Sequence, residues 1–304
     1  MIFKGGETLG VSLQIDCVGR FSNFIIQLSN AISVANRFKI KSIYITPSDY
    51  LDDIFRTRDI ILCKNLGLNI YFELPRIGFI IKGAFFHVRR NALGYCDGVS
   101  IKQAVDLYRH ATLYDAPTNR ESSDDRNLVI HIRSGDIFTS RNVHQDYGQP
   151  PLSYYMLVIN HFKPMSITLV YEDESNPVIS ELRRLLSMQG IPCSVSSSNL
   201  REDLKVIMKS SALVIGRGTF ALGALCFSNN LKHLYSFSST FEKDPYFRLH
   251  LSELGNDFGV SKWDVQDKVG VYIRSMCDGN WINSDSQRKL MIDYLPENLT
   301  LQKV

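Results

Sequence analysis

The residues best suited to chemistry lie in one short stretch, His131-Ile132-Arg133-Ser134-Gly135-Asp136, which follows an apolar run. A strand over 128–133 would place His131 and Arg133 on one face, because successive side chains of a strand alternate. The opposite face would be apolar, with Leu128, Ile130 and Ile132. Arg133 can bridge two phosphate oxygens, and Gly135 lets the backbone approach a ligand closely. The stretch therefore predicts an anion site at the carboxyl end of a buried strand.

Three residues of this stretch have alternative interpretations. Arg133 could form a structural ion pair, which is the commoner role of a single arginine after a strand. His131 could position Arg133 or donate a hydrogen bond to a nucleotide. Asp136 is better suited to anchoring the loop than to acting as a base.

A second anion-binding pattern follows the apolar run 212–215. That run leads into Gly216-Arg217-Gly218-Thr219-Phe220, a glycine turn ahead of a helix of small residues. Backbone amides near Gly218, together with the Thr219 hydroxyl, can bind phosphate. Such turns are common in α/β proteins, so the pattern gains weight only because it would share a sheet edge with Arg133.

Three consecutive acids, Glu172-Asp173-Glu174, follow a predicted strand over 166–171. They could bind a divalent cation, since carboxylate oxygens are typical ligands of such ions. The sequence shows no matching His or Asp partner, so no metal site is predicted. Solvated acids, or a hydrogen bond to a sugar hydroxyl, are the favoured interpretations.

The loop 137–151 contains His144, Asp146, Tyr147 and Gln149. Loops at the edge of a rigid sheet commonly carry function. His144 and Asp146 are therefore candidates for acceptor recognition or for a general base. A mobile surface loop without function is the competing interpretation.

The elements that position these residues begin with a β-α-β unit. Apolar spacing predicts a strand over 11–16, a helix over 22–38 and a strand over 41–45. One helix face carries three amides, Asn23, Gln27 and Asn30, which predict either a stripe facing a cleft or a solvated surface. Weaker patterns predict a strand over 83–88 and a helix over 101–113.

From residue 128 onward, short apolar strands alternate regularly with helices. Strands are predicted at 128–133, 166–171, 191–195, 212–215 and 232–237. The clearest helix has Asn176 as its N-cap, Pro177 at its first position and Gly190 just beyond its end. This alternation predicts a parallel, doubly wound sheet in an α/β protein.

The run 115–127 has the composition of a linker, with one proline and several small polar or acidic residues. We therefore predict an N-terminal α/β half over 1–120 and a Rossmann-like half over 121–264. Helical periodicity in the last part of the chain predicts a tail over 265–304 that braces the N-terminal half.

Composition limits the class of protein. The chain has 304 residues, of which 44% are hydrophobic and 21% charged, and its net charge of +3 gives no support to nucleic-acid binding. Its cysteines stand far apart without the spacing of a zinc site, so reduced thiols and a cytoplasmic location are expected. No apolar run is long enough for a membrane span, which leaves peripheral membrane contact open.

Three blocks, in order, resemble a glycosyltransferase superfamily that includes the α-1,2-, α-1,6- and protein O-fucosyltransferases. The bacterial α-1,2-fucosyltransferase type is the nearest likeness. Residues 19–28 are similar to its Gly-x-(Leu/Phe)-Gly-Asn-x-x-x-Gln block, in which Asn23 is a candidate donor contact. Residues 131–136 are similar to its His-x-Arg-x-Gly-Asp block. Asp203, followed by Thr219-Phe220, resembles its Asp and Ser-Thr-Phe pair.

The resemblance implies a GT-B architecture, with a nucleotide sugar bound between two Rossmann-like halves. It also implies inverting, metal-independent transfer of L-fucose from GDP-fucose to a glycan hydroxyl, with no required cofactor. Arg133 would bind the donor diphosphate and His131 would support the nucleotide end. Asp203 would read the base, while Thr219 and Phe220 would line the phosphate and base pocket.

This chain departs from the family pattern at three places. Arg217-Gly218 stands where the family usually has Asn-Ser, Ala221-Leu222 where it has an aromatic pair, and Ser134 where a second arginine is common. Arg217 could replace that second arginine as a phosphate ligand, or it could meet an acidic acceptor. Two alternatives therefore stay open, namely a different nucleotide-sugar donor on the same scaffold and a non-catalytic glycan- or nucleotide-binding module.

Overall fold

The computed structural model describes residues 10–17, 19, 21–47, 61–63, 67–74, 78–85, 126–139, 143–197, 199–225, 228, 230–238, 259–277 and 279–304. The chain divides into two compact units, Met1–Ala116 and Pro117–Val304. The helix predicted over 101–113, and most of the linker predicted over 115–127, lie outside the described residues.

The first unit contains a five-stranded sheet in the order β3-β4-β2-β1-β5. Its strands are β1 (Val11–Ile15), β2 (Ser42–Ile45), β3 (Ile61–Cys63), β4 (Leu68–Tyr71) and β5 (Phe79–Gly83). The pairs β1/β2, β1/β5 and β2/β4 are parallel, whereas β3 is antiparallel to β4. The strand predicted over 83–88 lies earlier than expected, because residues 79–83 are the ones that pair with β1, and residues 86–88 are outside the described residues.

Helix α1 (Phe21–Phe38) connects β1 to β2 and confirms the predicted β-α-β unit. Its predicted apolar face is buried, as are the amides of Gln27 and Asn30. Gln27 Nε2 donates to Asn23 O at 3.1 Å, and Asn30 Nδ2 donates to Phe85 O at 2.7 Å. The prediction of a solvated amide face is therefore wrong for Gln27 and Asn30, whose polar groups are satisfied inside the first unit.

The second unit contains a seven-stranded sheet in the order β12-β11-β10-β9-β6-β7-β8. Its strands are β6 (Asn127–His131), β7 (Ser166–Val170), β8 (Cys193–Ser196), β9 (Ala212–Ile215), β10 (His233–Phe237), β11 (Ser261–Asp267) and β12 (Leu299–Lys303). All neighbouring pairs are parallel except β11/β12. The five strands predicted from residue 128 onward are confirmed. β6 ends at His131, so Arg133 lies in the loop beyond it.

Helices of the second unit cover this sheet. They are α2 (Asp136–Thr139), α3 (Leu152–Phe162), α4 (Pro177–Met188), α5 (Leu200–Lys209), α6 (Phe220–Leu225), α7 (Val271–Met276) and α8 (Asp285–Asp293). α4 begins as predicted, because Asn176 Oδ1 accepts a hydrogen bond from Val178 N at 3.0 Å. Every residue of β9 is buried, as expected for a parallel strand covered on both faces.

Residues 265–304 belong to the second unit. β11 runs across the predicted boundary at 264/265, β12 pairs with β11, and α8 packs against α3 and α4. The predicted bracing of the N-terminal half by this segment stays a prediction. The unit boundary at 116/117 lies close to the predicted one at 120/121.

The parallel strands of each unit follow a Rossmann-like order. In the first unit that order is β4-β2-β1-β5, and in the second it is β8-β7-β6-β9-β10-β11. The second order is doubly wound, because the chain adds strands on one side of β6 and then crosses to add β9, β10 and β11 on the other. The predicted fold class, an α/β protein with two Rossmann-like parallel sheets, is confirmed.

Candidate functional site

The predicted anion-binding segments meet in the second unit at the carboxyl ends of β6 and β9. These two strands pair in parallel, with His131 opposite Ile215. His131 leads into the loop of Arg133, and Ile215 leads into the turn 216–219. The strand order reverses between β6 and β9, which is where doubly wound sheets open a crevice for a ligand.

Arg133 is largely buried, with 19% of its side chain exposed. Its Nη2 donates to Asp136 Oδ1 at 2.7 Å, and its guanidinium carbon lies 5.8 Å from the centroid of the Tyr147 ring. The ion pair considered from the sequence is therefore present. Arg133 Nε is nevertheless buried without a hydrogen-bond partner. A buried N–H without a partner is costly, and a phosphate oxygen is a group that would satisfy it.

The loop after Arg133 is held by residues that follow β7. Asp173 Oδ1 accepts from Ser134 Oγ at 2.5 Å and from Gly135 N at 3.1 Å, while Asn176 Nδ2 donates to Arg133 O at 2.9 Å. Burial alone would raise the pKa of the Asp173 carboxyl, but hydrogen bonds from Ser134 and from nearby backbone amides hold that pKa below its ordinary value. Asp173 is thus an ionised acceptor that fixes the Arg133 loop.

The other two acids of this cluster have local contacts. Glu174 Oε1 pairs with Arg183 Nη1 at 2.6 Å. Glu172 stands against Gly135, where an added Cβ would lie 2.8 Å from the Glu172 Cδ. Within the described ranges, no three His, Cys, Asp or Glu side chains are grouped so that they could hold a metal ion.

His131 is almost fully buried, and its ring centroid lies 5.2 Å from that of Phe220. Burial, reinforced by the positive charge of Arg133, lowers the pKa of His131 to about 3. The imidazole is therefore neutral near pH 7 and offers one donor and one acceptor nitrogen. The His131–Phe220 contact joins the two segments whose sequence predicted nucleotide binding.

The turn after β9 carries Arg217, Gly218 and Thr219. Gly218 has φ +129°, a conformation that glycine adopts readily and other residues rarely do. Arg217 O accepts a hydrogen bond from Gln149 Nε2 at 3.0 Å. The Arg217 guanidinium makes no ion pair with any described residue. Arg217 therefore brings a second positive charge, without a described carboxylate partner, to the edge that carries Arg133.

Asp203 lies in the first turn of α5, after β8, and so at the same edge of the sheet. Its Oδ1 accepts from Ser196 Oγ at 2.8 Å, and burial raises the pKa of its carboxyl. β7 separates β8 from β6 in the sheet. The structure thus does not bring Asp203 to the two strands of the switch point, and its predicted contact with a nucleotide base stays a prediction.

His144 and Asp146 stand close together and are mostly exposed. His144 Nδ1 lies 3.8 Å from Asp146 Oδ2, with 63% and 59% of their side chains exposed. The His144 ring is 4.8 Å from the Tyr147 ring, which in turn faces Arg133. The pair is therefore connected to the Arg133 loop through Tyr147, while its catalytic role stays a prediction.

The described part of the loop that carries this pair is anchored from the C-terminal segment. Tyr272 OH donates to Gln149 O at 2.6 Å, and Trp281 N donates to Gln145 O at 3.0 Å. Trp281 Nε1 also donates to Ile137 O at 3.2 Å. These bonds and the full burial of Gln149 hold residues 143–151 against the rest of the second unit, while the alternative of a surface loop without function stays open.

Sequence reasoning missed the C-terminal residues that support the site. Besides Trp281, Asn283 Nδ2 and Arg288 Nη2 both donate to Phe138 O, at 2.8 Å and 2.6 Å. They fix α2, the short helix that begins at Asp136. No pattern near residue 138 indicates these partners, because they lie far along the chain.

The remaining predicted contact, Asn23, lies in the first turn of α1 in the first unit. Gly19, just before this helix, has φ +77°, and an added Cβ would collide with the Asn23 amide. The turn therefore requires glycine. A role for Asn23 in donor binding stays a prediction.

Fold and site together define an α/β protein with a doubly wound sheet that carries two arginines at its switch point. No protein-family model matches the chain, and no curated protein sequence matches it. Among solved structures, E. coli heptosyltransferase WaaC with ADP is similar, with 10% sequence identity and a TM-score of 0.34. The match covers 77% of this chain and 88% of that one. A likeness of this size does not establish a family.

Among the helices of the described ranges, none combines the length and the apolar character that crossing a bilayer needs.

Proposed function

We propose that this protein is a GT-B glycosyltransferase that moves a sugar from a nucleotide-sugar donor to a glycan hydroxyl, in polysaccharide or glycoconjugate synthesis. The observation that carries the proposal is the meeting of Arg133 and the turn 216–219 at the ends of adjacent strands. Doubly wound sheets bind nucleotides at such a point. Arginine has the geometry and charge to bind a diphosphate. The resemblance of residues 131–136 to a fucosyltransferase block favours GDP-fucose as the donor.

In the proposed reaction, the acceptor hydroxyl attacks the anomeric carbon from the face opposite the departing nucleoside diphosphate. The bond between the sugar and the diphosphate breaks, and negative charge develops on the leaving oxygen. Arg133 and the backbone amides near Gly218 and Thr219 stabilise that charge. Arg217 adds a second positive charge, which no described carboxylate neutralises. Arginine and amide donors supply the charge stabilisation, so the proposal includes no metal and no cofactor.

The nucleotide end of the donor is assigned to three residues of the second unit. Because His131 is neutral, it serves through hydrogen bonding rather than through charge. Phe220 packs beside His131 and lines the base pocket. Asp203 reads the base, since a carboxylate accepts hydrogen bonds from the N–H groups of guanine. Asn23, in the first unit, is assigned to the donor through the N-terminal block.

His144 and Asp146 are assigned to the acceptor side. An imidazole close to a carboxylate can take the proton that the acceptor hydroxyl loses. The 3.8 Å separation of the two side chains and their exposure to solvent support this assignment.

The test of the proposal is a thermal-shift panel with GDP, UDP, CMP and dTDP. A ligand that binds only the folded protein stabilises it by mass action, by about 2.7 kcal/mol at a concentration 100 times its Kd. A preference for GDP supports fucose or mannose chemistry. A preference for another nucleotide changes the donor, and no shift with any of the four overturns the nucleotide site.

A non-catalytic binding module would bind the donor without turning it over. Free GDP released during incubation of the protein with GDP-fucose separates the two functions. Release that the Arg133→Ala variant abolishes supports the transferase. If the protein binds GDP-fucose tightly but releases no GDP, with or without glycan acceptors, it is a nucleotide-sugar-binding protein and not a transferase.

A further inference from the structure

Gln149 connects the two segments that carry the arginines of the candidate site. It lies between α2 and α3 and is fully buried. Its Nε2 donates to Tyr147 O at 2.9 Å and to Arg217 O at 3.0 Å. A glutamine amide nitrogen carries two hydrogens, so both are used. One amide group therefore ties the loop 143–151 to the turn after β9.

One of these two carbonyls belongs to Tyr147, which contacts Arg133, and the other belongs to Arg217. The Tyr147 ring faces the Arg133 guanidinium, 5.8 Å from its centroid. Arg217 is itself an arginine, and the Gln149 bond fixes its backbone rather than its guanidinium. Gln149 thus affects the position of Arg133 through Tyr147, and it holds the backbone of Arg217 directly.

The surroundings of the amide are closely fitted. A Cβ on Gly216 would lie 2.8 Å from Gln149 Oε1 and 3.5 Å from Pro150 Cδ, so glycine at 216 lets the glutamine reach the turn. On its other side, Gln149 O accepts from Tyr272 OH at 2.6 Å. The residue is therefore held at both its backbone and its side chain.

The unpaired oxygen of this amide argues that Gln149 does more than fill space. Gln149 Oε1 is buried and has no hydrogen-bond partner in the described structure. Leaving a carbonyl oxygen buried and unpaired is unfavourable, and an apolar side chain of similar length would avoid it. What only the amide provides is the pair of N–H donors that joins Tyr147 to Arg217.

We propose that Gln149 is a positioning residue that sets the spacing of Arg133 and Arg217 so that both reach the same diphosphate. The identity of the ligand rests on the proposed function, whereas the link between loop and turn does not. The side-chain amide of Gln149 donates only to backbone carbonyls, those of Tyr147 and Arg217. Gln149 is therefore assigned no contact with the ligand and acts by positioning the two arginines.

The first experiment needs no ligand and uses Gln149→Met, which keeps the length of the side chain and removes both donors. Hydrogen–deuterium exchange is compared with that of the unaltered protein. The expected result is exchange about tenfold faster in both 144–148 and 217–220, with β7 unchanged as an internal reference. Unchanged exchange in 217–220 would overturn the proposal. If Gln149→Met does not fold, Gln149→Asn, which keeps an amide but is too short to span both carbonyls, is expected to show the same result.

Gln287→Met is the matched control. Gln287 is also largely buried, and its Nε2 also joins two backbone carbonyls, Ser275 O at 2.8 Å and Asn280 O at 2.7 Å. The same substitution there removes the same two donated bonds, together with those that Gln287 Oε1 accepts from Ile282 N and Ser284 N, and none of these bonds involves the turn after β9. The turn 217–220 is expected to keep its normal exchange in this control, and equal acceleration of 217–220 in the two variants would show that Gln149 is only a general stabiliser.

The second experiment measures GDP affinity by calorimetry. Gln149→Met is expected to weaken binding about tenfold and Gln287→Met less than twofold. In an Arg217→Ala background, the loss from Gln149→Met is expected to shrink below threefold, because residues that act through one another are not additive. Full affinity in Gln149→Met, or the same tenfold loss in both backgrounds, would overturn the positioning role. If the unaltered protein binds none of the four nucleotides, the proposed function fails. The exchange experiment still tests whether Gln149 ties the loop 143–151 to the turn after β9.

Discussion

Replacing Arg133 with alanine removes a well-defined set of contacts. The variant loses the ion pair with Asp136 at 2.7 Å and the contact with the Tyr147 ring at 5.8 Å. Asp136 is 54% exposed, so water screens the ion pair, and such pairs contribute up to about 1 kcal/mol. A cation–π contact at a partly exposed site adds about 0.5–1 kcal/mol. We therefore expect the free energy of unfolding to fall by about 0.5–2 kcal/mol, which leaves the protein folded.

The expected effect of Arg133→Ala on the ligand is larger. Hydrogen bonds to charged groups contribute about 1.5–3 kcal/mol, and each 1.4 kcal/mol is about tenfold in affinity. GDP binding should therefore weaken about 10- to 150-fold. Turnover should fall further than affinity, because the leaving diphosphate bears more charge in the transition state than in the bound donor.

The assay combines calorimetry with GDP, release of GDP from GDP-fucose, and thermal unfolding. Arg183→Ala is the control, because Arg183 makes a similar exposed ion pair, 2.6 Å from Glu174, on α4. We expect Arg183→Ala to keep normal GDP affinity. Arg133→Lys should be intermediate, since it keeps the charge but not the two-pronged geometry of arginine. Turnover retained by Arg133→Ala would refute the assignment, as would an affinity loss no greater than that of Arg183→Ala.

Arg217→Ala should weaken GDP binding about tenfold with little change in melting temperature, and an unchanged affinity would exclude Arg217 as a phosphate ligand. His131 has a pKa of about 3 in the folded protein against an ordinary 6.5, so the unfolded chain binds more protons between these values. The free energy of unfolding should then fall by up to about 1.4 kcal/mol per unit as pH drops through that window, and denaturant titrations of His131→Asn should lack this slope. Gly135→Ala forces φ +71° and a clash with the Glu172 carboxylate, whereas Gly190→Ala at φ +68° meets nothing within 4 Å. Both variants should lose about 1–2 kcal/mol of stability. Only Gly135→Ala should also weaken GDP binding in calorimetry. Equal GDP affinity in the two variants would show that the loop at Gly135 does not position Arg133.

Much of the second unit was predictable because its signals act over short distances. Asn176, Pro177 and Gly190 stand at or next to the ends of α4 and mark them through capping and backbone conformation. The four apolar residues of β9 are typical of a strand buried on both faces. Strand ends were less predictable, and Arg133 lies beyond β6 rather than inside it, because hydrogen bonding to neighbouring strands decides where a strand stops.

Other features depended on partners far along the chain. Gln27 and Asn30 look like a polar helix surface in sequence, yet both are buried, and Asn30 bonds to the Phe85 backbone. The predicted tail after residue 264 begins inside β11, because pairing with β10 and β12 outweighs helical periodicity there. The hydrogen bond from Trp281 Nε1 to Ile137 O has no local signal at either end.

The sequence by itself determined that Arg133 and the turn 216–219 would each stand at the carboxyl end of a buried strand of a parallel sheet. It did so because alternation, capping and glycine turns are encoded within a few residues. Only the tertiary structure decided that these two strands are neighbours, that Asp203 follows a strand further along the sheet, and that Gln149 joins the turn to Tyr147. Strand order depends on how all the helices pack across the sheet at once, and a buried amide finds its acceptors only after that packing is complete.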